Sequence, residues 1–395
     1  MSALLRRLTS RALLIYSLVA AGCALVLIIA SSAIGAAGDA ARPPAKPLSE
    51  AIASALQGAN SSGFSARVVF TNSMIEGAGL VKGSDPIMAG GEGRIWVSES
   101  GDMRLELQSD AAGGDAQIML RGDQAWMYHA AANTVYRFTL PPAKKQSAAA
   151  EAKWPPSIRQ VSRLLEILGS SAFISGAIPG VTDGRAAYST RVEPKDEGGL
   201  LGGADITWDA KNGAPLRLAL YARGQDQPVL ALEASEVDFG AVDNAVFSAQ
   251  PPADAKVETL DVQAMDKPNS APALIKGLPA AKAAADFKIT APASLAGRSR
   301  QQVMLQNTKQ QTVIMRYGKG LGSLIVMERA ADRLDPREPV NLPVLKVDGK
   351  DVALIATPLG SAASFQSQGV NYVIFGSVTK AVLLQALKAL GPPLS

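Results

Sequence analysis

The chain has 395 residues, enough for two domains, and its 47% hydrophobic and 19% charged residues exclude a disordered or strongly solvated protein. A formal charge of +4 is too small to mark a nucleic-acid binder. The single cysteine, Cys23, and the single histidine, His129, exclude an internal disulfide, a Cys/His zinc site and a CxxC redox pair, and leave imidazole chemistry one residue only.

Arg6, Arg7 and Arg11 precede an uncharged run of 27 residues from Ala12 to Gly38. As a helix this run spans about 40 Å, against a hydrocarbon core of about 30 Å. The apolar core of a cleaved signal is shorter, about 7–15 residues. The run therefore reads as a single-pass membrane anchor in residues 1–39. Its arginine flank predicts a cytoplasmic N-terminus, with everything after it outside the cell membrane. Ala33, Gly35 and Ala37 supply the small residues of a cleavage site, so secretion after signal cleavage is the alternative. Ala20-Ala21-Gly22-Cys23 resembles a lipoprotein signal only in part. The residues after Cys23 stay apolar to Ala30, where a lipoprotein would begin a polar tether.

Residues 40–47 form a Pro-rich tether. Ser49 and Glu50 open a short helix with Ile52, Ala53 and Leu56 on its apolar face, ended by Gly58. From Phe64 the period changes to two, and SARVVF, GRIWVSE, MRLELQ, AQIML, AWMYH and VYRFTL predict a meander of antiparallel strands. An amphipathic helix is expected over 157–168, with Ile158, Val161, Leu164, Leu165 and Leu168 on one face. Strands return in RAAYSTRV, ADITWDA, LRLALYA and VLALEASEV, and Asn212-Gly213 marks a hairpin between the second and third of these. The first soluble domain is expected over 48–257, a linker over 258–283 and a smaller α/β domain over 284–395. The second domain shows hairpins at VIMRYG…SLIVMER and LKVDGKDVALI, a NYVIFGS strand and a terminal helix from Val378. Residues 287–395 carry 13 Lys/Arg and 6 Asp/Glu, so this end of the chain is basic.

No catalytic or metal-binding set stands out, and no cofactor is implied. His129 ends a strand beside Ala130-Ala131-Ala132 and reads as a turn-edge residue. Tyr317-Gly318-Lys319-Gly320-Leu321-Gly322 has phosphate-loop glycines but lies between two strand-like runs, so it reads as a hairpin turn. Asp332 and Asp335 lie among Arg329, Arg333 and Arg337 as solvated ion pairs, and no GxSxG nucleophile motif occurs.

Three stretches carry a family resemblance. GDQAWMYHAAANTVYRFTL (122–140), ITWDAKNGAPLRLAL (206–220) and VFSAQPPADAKV (246–257) follow a helix and the FSARVVF strand in an order that resembles the LolA/LolB-like lipoprotein carriers. The two-domain plan is similar to that of envelope-stress regulators of the RseB type. The resemblance implies a mainly β protein with helices: a curved antiparallel half-barrel covered by helices, whose concave face buries acyl chains. The implied function is a membrane-anchored, extracytoplasmic lipid or lipoprotein carrier. The alternative is an envelope sensor whose C-terminal domain binds a membrane signalling partner. The expected partners are lipid and the membrane, joined in the sensor alternative by a membrane protein; nucleic acid is not among them.

Alternation supplies candidate pocket residues. Met103, Leu105 and Leu107 oppose Arg104, Glu106 and Gln108; Leu216, Leu218 and Leu220 oppose Arg217 and Tyr221. Trp208, Leu230 and Leu232 join them by the same pattern. Met119, Trp126 and Tyr128 add broad or adaptable apolar surface suited to acyl chains. A polar change at Leu218 is expected to weaken acyl binding, and one at Arg217 to be silent.

Overall fold

The computed structural model describes residues 41–58, 63–74, 86–108, 114–139, 157–260, 273–307, 311–331 and 344–390. The expected anchor, Cys23 and the Asp332/Asp335 cluster lie outside the described residues. Among the described residues, no helix is long and apolar enough to cross a membrane.

The protein is mostly β-sheet with a few helices. The first sheet takes β1 (Phe64–Asn72), β2 (Gly91–Val97), β3 (Met103–Gln108), β4 (Asp115–Arg121), β5 (Gln124–His129) and β6 (Thr134–Thr139) as a meander. It continues with β7 (Ala172–Ile174), β8 (Ile178–Thr182), β9 (Arg185–Pro194), β10 (Leu201–Asp209), β11 (Pro215–Ala222), β12 (Pro228–Phe239) and β13 (Lys256–Leu260). The spatial order is β13-β6-β5-β4-β3-β2-β1-β12-β11-β10-β9-β7, with β8 also on β9. All described pairings are antiparallel except β13 with β6. Among the described residues the sheet does not close.

It does coil. In a flat sheet β9 and β12, three strands apart, would lie about 14 Å from each other. Yet Arg185 on β9 donates to the Val237 carbonyl on β12 and lies over the Phe239 ring, and Glu236 N donates to Asp183 Oδ2 at 2.8 Å. A bulge on β12 aids the bend: Glu236 has φ +48° at the register shift opposite Ser65 and Arg67.

Helices cover the inner face. α1 (Leu48–Gly58) packs Ala51 and Ala55 on Tyr188 and Trp208. Of the expected Ile52, Ala53 and Leu56 face, Ile52 packs partly buried against this same cluster and Ala53 is buried. Gly213, at φ +73° in the Asn-Gly turn, abuts the Ala55 carbonyl and leaves no room for a Cβ. α2 (Pro86–Ala89) sets Ile87 on Ala116 and Met127. α3 (Ile158–Gly169) begins with a capping box between Ser157 and Gln160 and rests against α1.

The second sheet comprises β14 (Ala273–Lys276), β15 (Ser294–Leu295), β16 (Arg298–Asn307), β17 (Thr312–Tyr317), β18 (Leu324–Ala330), β19 (Val344–Val347), β20 (Lys350–Thr357), β21 (Gly360–Ser367) and β22 (Val370–Gly376). Its core face is covered by α4 (Leu278–Ala284) and α5 (Lys380–Ala389) through Ala281, Leu383, Ala386 and Leu387. Every described pairing in this sheet is antiparallel. The expected α/β module is therefore an antiparallel sheet with helices. Tight turns at Asp348-Gly349 and Gln368-Gly369 allow only hairpins, whereas parallel strands need long crossovers. Of the stretch read as linker, 258–260 end β13, 273–276 form β14 and 278–283 lie in α4.

The glycine-rich turn after β17 meets the β9–β10 loop of the first sheet. Asp196 Oδ2 accepts from Leu321 N at 2.7 Å, and its Oδ1 accepts from Gly198 N at 2.7 Å. Gly322 sits so near the Gly198 carbonyl that a side chain would collide with it. Ser377 Oγ accepts from Leu200 N at 2.9 Å. The turn is thus also a seat between sheets. The two backbone N–H groups hold the Asp196 carboxyl below its ordinary range, so its contribution exists above the usual carboxylate pKa and fades as pH falls through the lowered one. Asp196→Ala should speed proteolysis of the two loops severalfold at pH 7, and wild type should approach the variant in strong acid. Equal cleavage at pH 7 would assign the seat to contacts other than the Asp196 carboxylate.

Candidate functional site: the inner face of the first sheet

Cross-strand register decides which residues share a face. Phe64, Ala66, Val68 and Phe70 of β1 pair with Val97, Ile95, Gly93 and Gly91 of β2, and those with Met103, Leu105 and Leu107 of β3. On the other side Val68 pairs with Ala234 and Phe70 with Leu232. Leu232 and Leu230 pair with Leu218 and Leu220, which in turn pair with Ile206 and Ala204. This is one continuous apolar face, and it is the face that carries α1 and α2.

Burial along it is uneven. Phe64, Ala66, Val68, Ile95, Met103, Leu107 and Leu216 are core residues, whereas Leu105, Leu218, Leu220, Leu230 and Leu232 are only half-buried. A recess of about 30 Å³ opens among Phe64, Val68, Ile95, Pro215, Leu216, Leu218, Leu232 and Ala234. That is room for a water molecule or two; small-molecule pockets run to roughly 300–1,000 Å³. An acyl chain fits here only by lying along the half-exposed leucines or by displacing a covering element.

The structure gathers Met103, Leu105, Leu107, Leu216, Leu218, Leu220, Leu230 and Leu232 on this face. Trp208 shares it but lies under α1, its indole Nε1 buried without an acceptor among the described residues. Met119, Trp126 and Tyr128 do not join the group. Met119 pairs with Arg104 and Trp126, and Tyr128 with Val135, so all three lie on the opposite face. On that face Arg104, the β3 partner of Met119, donates through Nη1 to the Val246 carbonyl at 2.9 Å. Phe64, Val68, Ile95 and Ala234 line the recess without belonging to the sequence-based set. For Phe64 and Val68 the alternation in FSARVVF is the signal that points to them.

Behind the leucines the opposite face sets a small buried cluster, Ala219, Tyr221 and Ala231, among charged groups. Arg217 Nε lies 2.9 Å from Glu233, its Nη2 donates to Tyr221 Oη at 3.0 Å, and Arg191 reaches Asp205 at 3.1 Å and Glu193 at 2.6 Å. Arg217 is therefore not the silent position its exposed-face pattern suggested. Removing it leaves Glu233 and Tyr221 without these bonds, so it is a poor control for a binding experiment. His129 pairs with Thr134 across the β5–β6 hairpin. Among the described residues, no group of three or more His, Cys, Asp or Glu side chains could hold a metal ion.

No family model and no curated protein matches the sequence. Solved structures do resemble it. The chain is similar to one in the complex of Pseudomonas aeruginosa MucA and MucB, at 15% identity over 88% of this chain and 99% of that one, with a TM-score of 0.41. It is similar to an uncharacterized conserved protein from Thermus thermophilus, at 10% identity over 53% and 98% of the two chains, TM-score 0.34. It is also similar to a putative outer membrane lipoprotein-sorting protein domain from Vibrio parahaemolyticus, at 14% identity over 47% and 90%, TM-score 0.16.

Proposed function

We propose that this protein is a membrane-anchored, extracytoplasmic, non-catalytic binder of lipid or lipoprotein acyl chains, which it holds on the inner face of the first sheet. The carrying observation is the strip of half-buried leucines, Leu218, Leu220, Leu230 and Leu232, on the helix-covered face of an open, coiled sheet. Burying acyl carbon there gains about 0.8 kcal/mol per CH₂, so about five methylenes supply about 4 kcal/mol with no charged contact.

Leu218 is the probe. A half-exposed leucine loses less on becoming serine than the roughly 2–5 kcal/mol of a buried truncation, because water can reach the new hydroxyl. In residues 40–395, Leu218→Ser should keep most of the thermal stability and weaken uptake of a fluorescent fatty acid severalfold. Arg67→Ser, exposed on the opposite face with only a surface contact to Glu236, should leave both unchanged. Failure of the wild type to take up the fatty acid would overturn the reading.

One observation favours a sensor over a simple carrier. Arg223, just beyond β11, donates to the Gly199 carbonyl at 2.8 Å and the Asp196 carbonyl at 2.8 Å, which ties the leucine strand to the seat of the second sheet. In the sensor reading, acyl binding on β11 alters a protein-binding surface of the C-terminal domain. Release of a membrane-protein partner on adding lipid supports this version; partner-independent transfer of lipid between vesicles supports the carrier.

A further inference from the structure

We propose that α3 is a bilayer-docking helix, which lays its outer apolar flank on an anionic membrane surface beside the point where the chain leaves the membrane. The proposal rests on the anchor reading of residues 12–38. The first observation is burial. Of the apolar residues on α3 only Val161 is buried, while Ile158, Leu164, Ile167 and Leu168 are 46%, 58%, 63% and 53% exposed. An amphipathic helix normally turns this arc inward. Here the helix rests against α1 and β7 with Val161 buried, and the Leu164–Ile167–Leu168 flank is open among the described residues.

The second observation is charge. Arg159 and Arg163 are exposed on the polar side of the helix, with Glu166 as its only anion. Arg163 borders the open flank next to Ile167, the arrangement of a helix lying in a membrane interface with its cations at the headgroups.

The third observation is where the chain enters the fold. Only two residues, Asp39 and Ala40, separate Gly38, the end of the apolar run, from Ala41, so Ala41 lies three chain steps, about 10 Å, from it at most. From there the chain is pinned. Pro43 is buried, the Pro44 carbonyl accepts from Tyr188 Oη at 2.6 Å, and Lys46 lies over the Tyr188 ring. α1 follows directly, is about 16 Å long, and holds α3 along its side. An anchor ending at Gly38 therefore brings α3 to the bilayer surface, and the apolar flank with its bordering arginines matches that surface. The same contact would hold the inner face of the first sheet close to the lipids it is proposed to bind.

The test uses the full chain reconstituted in phosphatidylglycerol/phosphatidylcholine vesicles. Cys23 is replaced by serine, and an environment-sensitive fluorophore is placed at Ile167→Cys or, as a control on a solvated turn, at Gln225→Cys. Flotation in alkaline carbonate reports the anchor; quenching by headgroup-proximal spin-labelled lipid reports docking. Docking predicts flotation, at least twofold quenching at 167 and none at 225, with the quenching reduced severalfold by Arg159→Gln/Arg163→Gln. Flotation with an unquenched, water-like probe at 167 overturns the docking and leaves the anchor standing. A blue-shifted probe at 167 that spin-labelled lipid does not quench overturns it in favour of a protein cover, either a second copy or another segment of this chain. Loss of the protein from the floated vesicles overturns the anchor and the docking together.

Discussion

Glu328→Gln should make the C-terminal domain more stable at pH 8.5 while leaving it little changed at pH 5. Glu328 lies on β18 between Val313 and Tyr372, fully buried on the core face with Val326 and Leu324. Its Oε2 accepts from Thr290 N at 2.9 Å, and its Oε1 has no partner among the described residues. Thr290 Oγ1 in turn meets Tyr372 Oη at 3.0 Å. Burial pushes the Glu328 carboxyl up to about 8 from an ordinary value near 4.5, with the Thr290 N–H opposing only part of that shift. The raised pKa means that the folded protein holds a proton there which the unfolded chain has released. Stability must then fall as pH rises from about 4.5 to about 8, and stay level above, by an amount on the order of 3–5 kcal/mol.

Glutamine carries no charge to desolvate, and its amide oxygen can keep the Thr290 bond. The variant should therefore lose the pH slope, and at pH 8.5 unfold roughly 10 °C or more above wild type. Calorimetric scans of both proteins from pH 5 to 9 provide the test. A flat profile for wild type would show that Glu328 is not held protonated in the fold.

The second large effect is expected at Gly93. On β2 this residue lies between Val68 of β1 and Leu107 of β3. A Cβ there would fall inside the van der Waals surface of the Glu106 carbonyl oxygen, and one at Gly91 would do the same to Gln108. Both obstacles are backbone, so no side-chain rotation relieves them, and the two strands must part. Gly93→Ala should cost more than the roughly 1–3 kcal/mol of ordinary overpacking. It should also abolish acyl uptake, because Ile95 and Val68 beside it line the recess. Gly180→Ala is the control: on β8 an added methyl group would meet only open space, and the change should have little effect. Chemical denaturation of the three proteins, with fatty-acid uptake alongside, measures both effects. A stable, binding-competent Gly93→Ala protein would show that β2 and β3 separate freely.

Local pattern carries far into this fold. The period-two runs on β1 to β6 and β9 to β12, the Asn212-Gly213 turn, and the Ser157-capped helix are all legible, because each depends on residues within a few positions of one another. β7, β8 and β14 are not. They are three to five residues long and pair only by edge contacts, so they carry too few alternations to show a period. The seat between the sheets is hidden for a different reason. Gly318, Gly320 and Gly322 announce a turn, but nothing local says that Gly198 and Asp196 come to meet it from more than a hundred residues away.

The candidate site divides along the same line. Alternation within one strand puts Leu216, Leu218 and Leu220 on one side, since successive side chains in a strand must point to opposite faces. It cannot say which side of the sheet the apolar residues of another strand occupy. Met119 and Trp126 are as apolar as Leu105, yet the β3–β4 and β4–β5 registers put them on the other side of the sheet. Whether an apolar face is filled core or open surface is likewise a matter of packing. α1 covers Trp208 and leaves Leu218 only half-buried, and α3 buries Val161 and leaves Leu164 and Ile167 in the open. Which residues are apolar, and in what period, can be read along the chain because local stereochemistry sets it. Which of them meet each other, and which are left for a ligand or a membrane, emerges only in three dimensions, through register and coverage set by contacts distant along the chain.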